Sequence, residues 1–256
     1  MIRVAAVGDL HFGKDSAGTL APHLQRLGED ADLLVLAGDL SRRGRVEEAE
    51  AIAAELSTAP VPIVAVLGNH DYESDQEEEF TAKLEDAGVV VLEGTRTVVL
   101  ADGVRVGVAG TIGFGGGFPG ATCADFGERE MKAFVARTRR LAAGLERALG
   151  ELDADFRIAL LHYSPIAETL VGERLEIYPF LGSYLLAEAI DRAGADVVFH
   201  GHAHHGVERG MTPAGIPVRN VAQSVIRHPF NVYRFRARRL EGDGAAADRA
   251  LEATGR

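Results

Sequence analysis

Cysteine occurs once and tryptophan not at all in the 256 residues. The lone Cys123 excludes an intrachain disulfide framework and a zinc site built on paired thiolates. With no activating neighbour in sequence, it reads as an incidental thiol rather than a nucleophile. Cations are also scarce: 27 Lys and Arg stand against 38 Asp and Glu, a formal charge of −11. Gripping a nucleic-acid polymer needs clustered cations, so that class of function is disfavoured. No apolar run approaches the ~20 residues that span a bilayer. No long apolar stretch follows Met1-Ile2-Arg3-Val4, so no secretory leader is expected and the cytoplasm is the expected compartment. Solenoid repeats and long low-complexity tracts are absent as well.

What remains is an ordinary globular composition, 46% apolar and 25% charged, in a chain long enough to bury a large core. Residues 1–239 read as one domain. Residues 240–256, rich in Ala, Gly and charge, read as a weakly ordered tail, with 246–253 as a frayed helix at most. Short apolar runs bounded by turn residues predict buried strands at 2–7, 33–37, 61–67, 156–161 and 197–199. Further strands are predicted at 89–92, 98–100 and 104–109, and antiparallel closing strands at 207–211, 216–220 and 232–236. Val46, Ala49, Ile52 and Leu56 share one face of a helix over 45–56. Met131, Phe134, Val135, Thr138, Leu141, Leu145 and Leu149 do the same over 128–149, whose acidic first turn suits a helix N-terminus. Strand–helix alternation followed by a strand-rich last third predicts an α/β fold of two stacked mixed sheets. The glycine-rich stretch 110–127, with Phe114, Phe118 and Phe126, fits neither pattern. It reads as a mobile surface loop, or as a cover over a cleft.

The chemistry collects after the buried strands. The first is followed by Gly8-Asp9-Leu10-His11, the second by Gly38-Asp39, the third by Gly68-Asn69-His70-Asp71, the fourth by His162, and the fifth by His200-Gly201-His202-Ala203-His204. Ligands of open α/β sheets gather at the carboxyl ends of strands, and every such end here carries a residue able to bind a metal. Asp9 and His11 are two apart, as are His202 and His204, so an extended segment points each pair one way. The glycines permit sharp turns and close backbone approach. Carboxylate, imidazole and amide without thiolate favour Mn, Fe, Zn or a mixed pair of ions. Seven ligands are too many for one ion and suit two, with one carboxylate as bridge.

Asp9-Leu10-His11, Gly38-Asp39, Gly68-Asn69-His70-Asp71, His162 and Gly201-His202-Ala203-His204 follow in order the pattern D-x-H, G-D, G-N-H-D/E, H, G-H-x-H. In this the chain resembles the calcineurin-like metallophosphoesterases. The resemblance implies a four-layer αββα sandwich with a dinuclear centre at the strand ends. It also implies that Asp9, His11 and His204 hold one divalent or trivalent transition-metal ion, that Asn69, His162 and His202 hold the second, and that Asp39 bridges them. His70 would be the catalytic histidine beside the scissile phosphate, not a ligand, and Asn69 would also face the substrate. In the phosphoprotein phosphatase branch an aspartate stands where this chain has Arg42. Gly38-Asp39-Leu40-Ser41 is nearer to the cyclic-nucleotide and general phosphodiesterase branch, and Arg43 is a candidate phosphate clamp.

Other residues carry plainer expectations. His200 is a strand-end packing residue; His23, His205 and His228 are surface or supporting histidines. Asp71 is a candidate partner of His70. The acidic run 73–79 is a solvated helix face or loop. Ser183 caps a helix running to Arg192. The segment after His162 is expected to overhang the site, with Glu168 and Glu173 at its edge repelling a dianionic monoester more than a diester. The function expected is a metal-dependent phosphoester hydrolase acting on a small phosphodiester or nucleotide-like ester. The rivals are a nuclease of the same superfamily, a non-catalytic scaffold that keeps the fold, and a hydrolase of lipid-precursor diesters.

Overall fold

The computed structural model describes residues 1–236; the tail expected at 240–256 lies outside the described residues. Five strands form the first sheet: β1 (Ile2–Val7), β2 (Leu33–Ala37), β3 (Ile63–Val66), β4 (Val89–Val91) and, at the far edge, β13 (Asn231–Phe235). The order is β13-β1-β2-β3-β4, all parallel except β13. The second sheet contains β5 (Thr95–Ala101), β6 (Val104–Thr111), β9 (Phe156–Leu161), β10 (Val197–His200), β11 (Arg209–Met211) and β12 (Pro217–Asn220), ordered β11-β12-β10-β9-β6-β5. Its central strands β6, β9, β10 and β12 are parallel. A two-stranded hairpin, β7 (Gly117–Phe118) and β8 (Ala121–Thr122), stands apart.

Strands β2 and β3 are buried at every residue, as parallel strands covered on both faces must be, and this is why they read as unbroken apolar runs. Residues of β1, β2 and β3 share one core with Val106, Val108, Phe156, Ile158, Leu160, Val197 and Phe199 of the second sheet. Helices close the outer faces. On the first sheet lie α1 (Val46–Leu56), burying Ala49, Ile52 and Leu56, and α2 (Glu77–Asp86), burying Phe80 and Leu84. On the second lie α3 (Arg129–Gly150) and α4 (Tyr184–Ala193), whose Leu145, Leu149, Leu186 and Ile190 pack with Leu161 and Val198. The result is the expected four-layer sandwich of two large mixed sheets flanked by helices.

Two local expectations need correction, and a third holds. The closing strands are not all antiparallel: β12 runs parallel to β10, and only β11 and β13 are reversed. The acidic run 73–79 is the expected loop and solvated helix face: a 3-10 turn, Asn69–Tyr72, precedes it, and Glu77, Glu78 and Glu79 form the first turn of α2, where negative charge meets the positive end of the helix dipole. The stretch 110–127 is not a free loop. Phe118 is buried, the Phe114 ring lies 4.7 Å from that of Phe134, and the Thr138 hydroxyl donates to the Gly115 carbonyl. Phe126 alone of the three stands in solvent.

Candidate metal centre

Parallel strands from both sheets end on one rim, and five short loops there bring the candidate ligands together. Asp9 and His11 follow β1, Asp39 follows β2, Asn69 and His70 follow β3, His162 follows β9, and His202 and His204 follow β10. Ligand atoms of Asp9, His11, Asp39 and His204 lie within 4.8 Å of one another, and so do those of Asp39, His162 and His202. Asp39 belongs to both groups. The Asn69 side-chain oxygen Oδ1 joins the second at 3.0 Å from His162 Nε2.

The local backbone is shaped for this convergence. Seven non-glycine residues among those described adopt positive φ, and four of them are Asp9, His11, Asp39 and His202. Such conformations each cost of order 1–3 kcal/mol and cluster at ligand clamps. Two motif glycines make room for carboxylates arriving from other loops. A Cβ on Gly68 would stand 2.2 Å from Asp39 Oδ1, and one on Gly201 2.3 Å from Asp9 Oδ2.

Backbone carbonyls set the histidine tautomers. His162 Nδ1 donates to the Ala37 carbonyl at 2.9 Å, leaving Nε2 as a lone pair 3.4 Å from Asp39 Oδ1. His202 Nε2 donates to the Phe180 carbonyl at 3.2 Å, which frees Nδ1. His70 Nδ1 donates to the Arg42 carbonyl at 2.8 Å, which frees Nε2. Fixing the outer nitrogen in this way orients a ligating imidazole. Burial pushes His202 down to about 3 and lowers His11. The hydrogen bond to Asp9 raises His204 instead. Burial lifts the Asp9 carboxyl, but its bond from His204 and the neighbouring imidazoles outweigh this and hold it low.

This donor set fits a cation. Asp9 and Asp39 are buried and make no ion pair with Lys or Arg among the described residues; only histidines approach them. His204 Nε2 pairs with Asp9 Oδ1 at 2.9 Å and stands 3.4 Å from His11 Nε2, so the three groups converge on one point. The His162 lone pair faces an acceptor-only carboxylate. Lone pairs turned on one another are satisfied by a shared positive charge.

The Asp71 carboxylate makes no hydrogen bond to the His70 ring, whose Nδ1 is taken by the Arg42 carbonyl. That carboxylate accepts from the amides of Leu40, Ser41 and Gly68 and from the Ser41 hydroxyl, at 2.7–3.1 Å, tying the loop after β2 to the loop after β3. Burial, and then the nearby Asp39, raises it to about 6. Arg42 contributes more than its place in the sequence suggested. Besides its carbonyl bond to His70, its Nε donates to the His11 carbonyl at 3.1 Å and its Nη1 meets Asp15 at 2.7 Å. Arg43 is exposed, and its backbone amide donates to Glu48.

His200 is fully buried, bonded to Thr169 and the Gly201 carbonyl, and pushed down to about 4 by burial. His23, His205 and His228 are exposed. The Ser183 hydroxyl caps α4 by accepting from Leu185. The segment after His162 reaches the site through Phe180. Its two glutamates part company: Glu173 accepts from the amide of His205, beside the ligand His204, and its charge helps to raise that imidazole, whereas Glu168 accepts from the Met211 amide. Glu168 faces a separate apolar cleft of 540 Å³ lined by Phe118, Ile166, Tyr184 and Pro213, so it does not edge the ligand cluster as expected.

The chain belongs to the calcineurin-like phosphoesterase family, which it matches over residues 2–206. No curated protein sequence matches it at a significant level. Among solved structures it is similar to a phosphopantetheinyl hydrolase from Mycobacterium tuberculosis, with 16% identity, a TM-score of 0.64, and coverage of 88% of this chain and 90% of that one. It is also similar to TT1561 of Thermus thermophilus, with 19% identity, a TM-score of 0.53, and coverage of 92% and 99%. At these identities the likeness is one of fold. No described helix is long and apolar enough to cross a membrane.

Proposed function

We propose that the protein is a dinuclear metal-dependent phosphoesterase acting on a small phosphodiester or nucleotide-like ester. The observation that carries the reading is the pair of ligand groups sharing Asp39. Asp9, His11 and His204 would hold one transition-metal ion, Asn69, His162 and His202 the other, and Asp39 would bridge. Ions held there supply Lewis-acid charge and a water acidified toward neutrality for in-line attack at phosphorus.

The chain's own residues do the rest. Asp39 and Asp9 hold the centre in register through the amides of His70 and His202, which donate to them. The free Nε2 of His70 belongs to a partly exposed ring packed edge-on to His11, with centroids 4.7 Å apart. In its protonated form it donates to the leaving oxygen, a general-acid contribution of ~10²–10⁴-fold. The Asn69 amide, with its remaining N–H groups, orients the phosphate. Burial of Asp39 and His162 excludes water beneath the phosphate and strengthens each of these interactions.

The test is metal analysis coupled to a substrate panel. Protein reconstituted with Mn, Fe or Zn is assayed against bis-p-nitrophenyl phosphate, p-nitrophenyl phosphate, 2′,3′- and 3′,5′-cyclic nucleotides and single-stranded DNA. Two ions per chain with turnover of small diesters is the expected result. One ion per chain, or no hydrolysis of any ester at full occupancy, rejects the proposal, and preferential cleavage of DNA selects the nuclease instead.

A further inference from the structure

Arg137, on α3, forms no ion pair and no hydrogen bond among the described residues. Its Cζ stands 4.7 Å from the centre of the Phe114 ring. Phe114 is 5.8 Å from Tyr163, whose ring lies 4.3 Å from that of His202 and 5.5 Å from that of His162. An aromatic wall thus runs without a break from the second ligand group to an exposed guanidinium. The charge of Arg137 is felt at Tyr163 and at Tyr72, which closes the turn that carries Asn69 and His70. Arg137 is thus connected to the second ligand group through the rings of Phe114 and Tyr163.

No described carboxylate pairs with it directly. Glu93 lies within its field, but its oxygens accept from the Thr111 hydroxyl at 2.6 Å and the Ile112 amide at 3.1 Å and form no ion pair with the guanidinium. Arg42, whose side chain touches the loop carrying His11, is committed to Asp15 and the His11 carbonyl. A guanidinium stacked on a ring is oriented by the ring face and keeps its N–H donors for an oxyanion. Stacking also spares the entropy of ordering a long side chain when the ligand arrives.

We propose that Arg137 is a specificity-determining residue that receives a second anionic group of the substrate, so that the protein favours phosphate esters carrying another phosphate over the same esters without one. For catalysis this rests on the phosphoesterase reading; for binding it does not. Two probe pairs separate them. In turnover, thymidine 5′-(p-nitrophenyl phosphate) is compared with its 3′-phosphorylated counterpart, which has the same nucleoside and leaving group. In binding, thymidine 5′-phosphate is compared with thymidine 3′,5′-bisphosphate by calorimetry on the metal-loaded protein.

The wild type is expected to show about tenfold lower KM and Kd for the compounds with the extra phosphate, equivalent to about 1.4 kcal/mol. R137A should erase that preference while kcat changes less than twofold, and R137K should keep part of it. R137Q serves if R137A does not fold. Equal affinities in the wild type, or a preference that survives in R137A and R137Q, overturn the proposal. If neither ester is hydrolysed, the phosphoesterase reading falls, and the two Kd values still decide the role of Arg137.

Discussion

Asp71 and Glu55 are both buried carboxylates that accept hydrogen bonds from three backbone amides and pin two chain segments together. Asp71 joins the loops after β2 and β3. Glu55, near the end of α1, accepts from Gly18, Leu20 and Ala21 and fastens the segment after the first ligand loop. Their acidities move in opposite directions. At Glu55 the donors outweigh burial and the group is held below its ordinary value of 4.5. At Asp71 burial and the charge of Asp39 outweigh equally good donors and lift the group to about 6. The scaffold region is electrostatically settled by the chain itself. The rim holds more negative charge, and more left-handed backbone, than its own groups satisfy. Such excess is found where a ligand completes the structure.

The sharpest way to break the contrast is Asp39→Asn. If one bridging charge serves both ions, metal analysis should show both occupancies falling together and hydrolysis dropping to background. Loss of one ion with the other retained at wild-type level would rule out the bridge. Next in size is His70→Ala, expected to keep both ions and the thermal midpoint while turnover falls ~10²-fold or more. A loss of metal in that variant would make His70 a ligand. Asp71→Asn tests the rim from below. Its amide would present N–H groups to backbone donors, so the loops after β2 and β3 should loosen. Metal affinity and turnover should each fall about tenfold, the low end for a residue that orients ligands. Unchanged affinity would reduce Asp71 to a packing residue.

How much of this was legible in the sequence depends on which atoms do the work. The five ligand blocks stand out because their chemistry is in side chains, and because β1, β2, β3, β9 and β10 are apolar runs ended by Gly or His. The fold class followed from the same runs. The supports were hidden wherever the backbone provides them. The carbonyls of Ala37, Phe180 and Arg42 fix three imidazoles, and any residue supplies a carbonyl. Asp71 pointed toward His70 in sequence, yet three of its four hydrogen bonds come from Leu40 and Ser41, about thirty residues away. The parallel pairing of β12 was illegible because a short strand reads alike in either direction. The helical period of α3 identified its buried face but said nothing of Arg137, whose neighbours Phe114 and Tyr163 come from other elements. Glu168 was misplaced for the converse reason: nearness to His162 along the chain is not nearness in the fold.

Glu55→Gln examines the settled side of the comparison and should produce the smallest effect. The amide keeps one acceptor for the three backbone donors and turns its N–H groups toward them, which leaves a buried pairing unmade. The expected cost is about 1–2 kcal/mol of stability, read as a fall of a few degrees in thermal midpoint for a chain of this size. Metal content and turnover should stay at wild-type values. The pH dependence has a definite sign. A carboxylate held below its unfolded value contributes fully above about pH 4.5, and the contribution fades as acid protonates the native group. The wild type should therefore exceed Glu55→Gln in stability at pH 7, with the gap narrowing as the pH falls below 4.5. A gap that stays constant across that range would mean that shape, not charge, sets the role of Glu55. A gap that opens on acidification would reverse the assignment of Glu55 as the balanced partner of the pair.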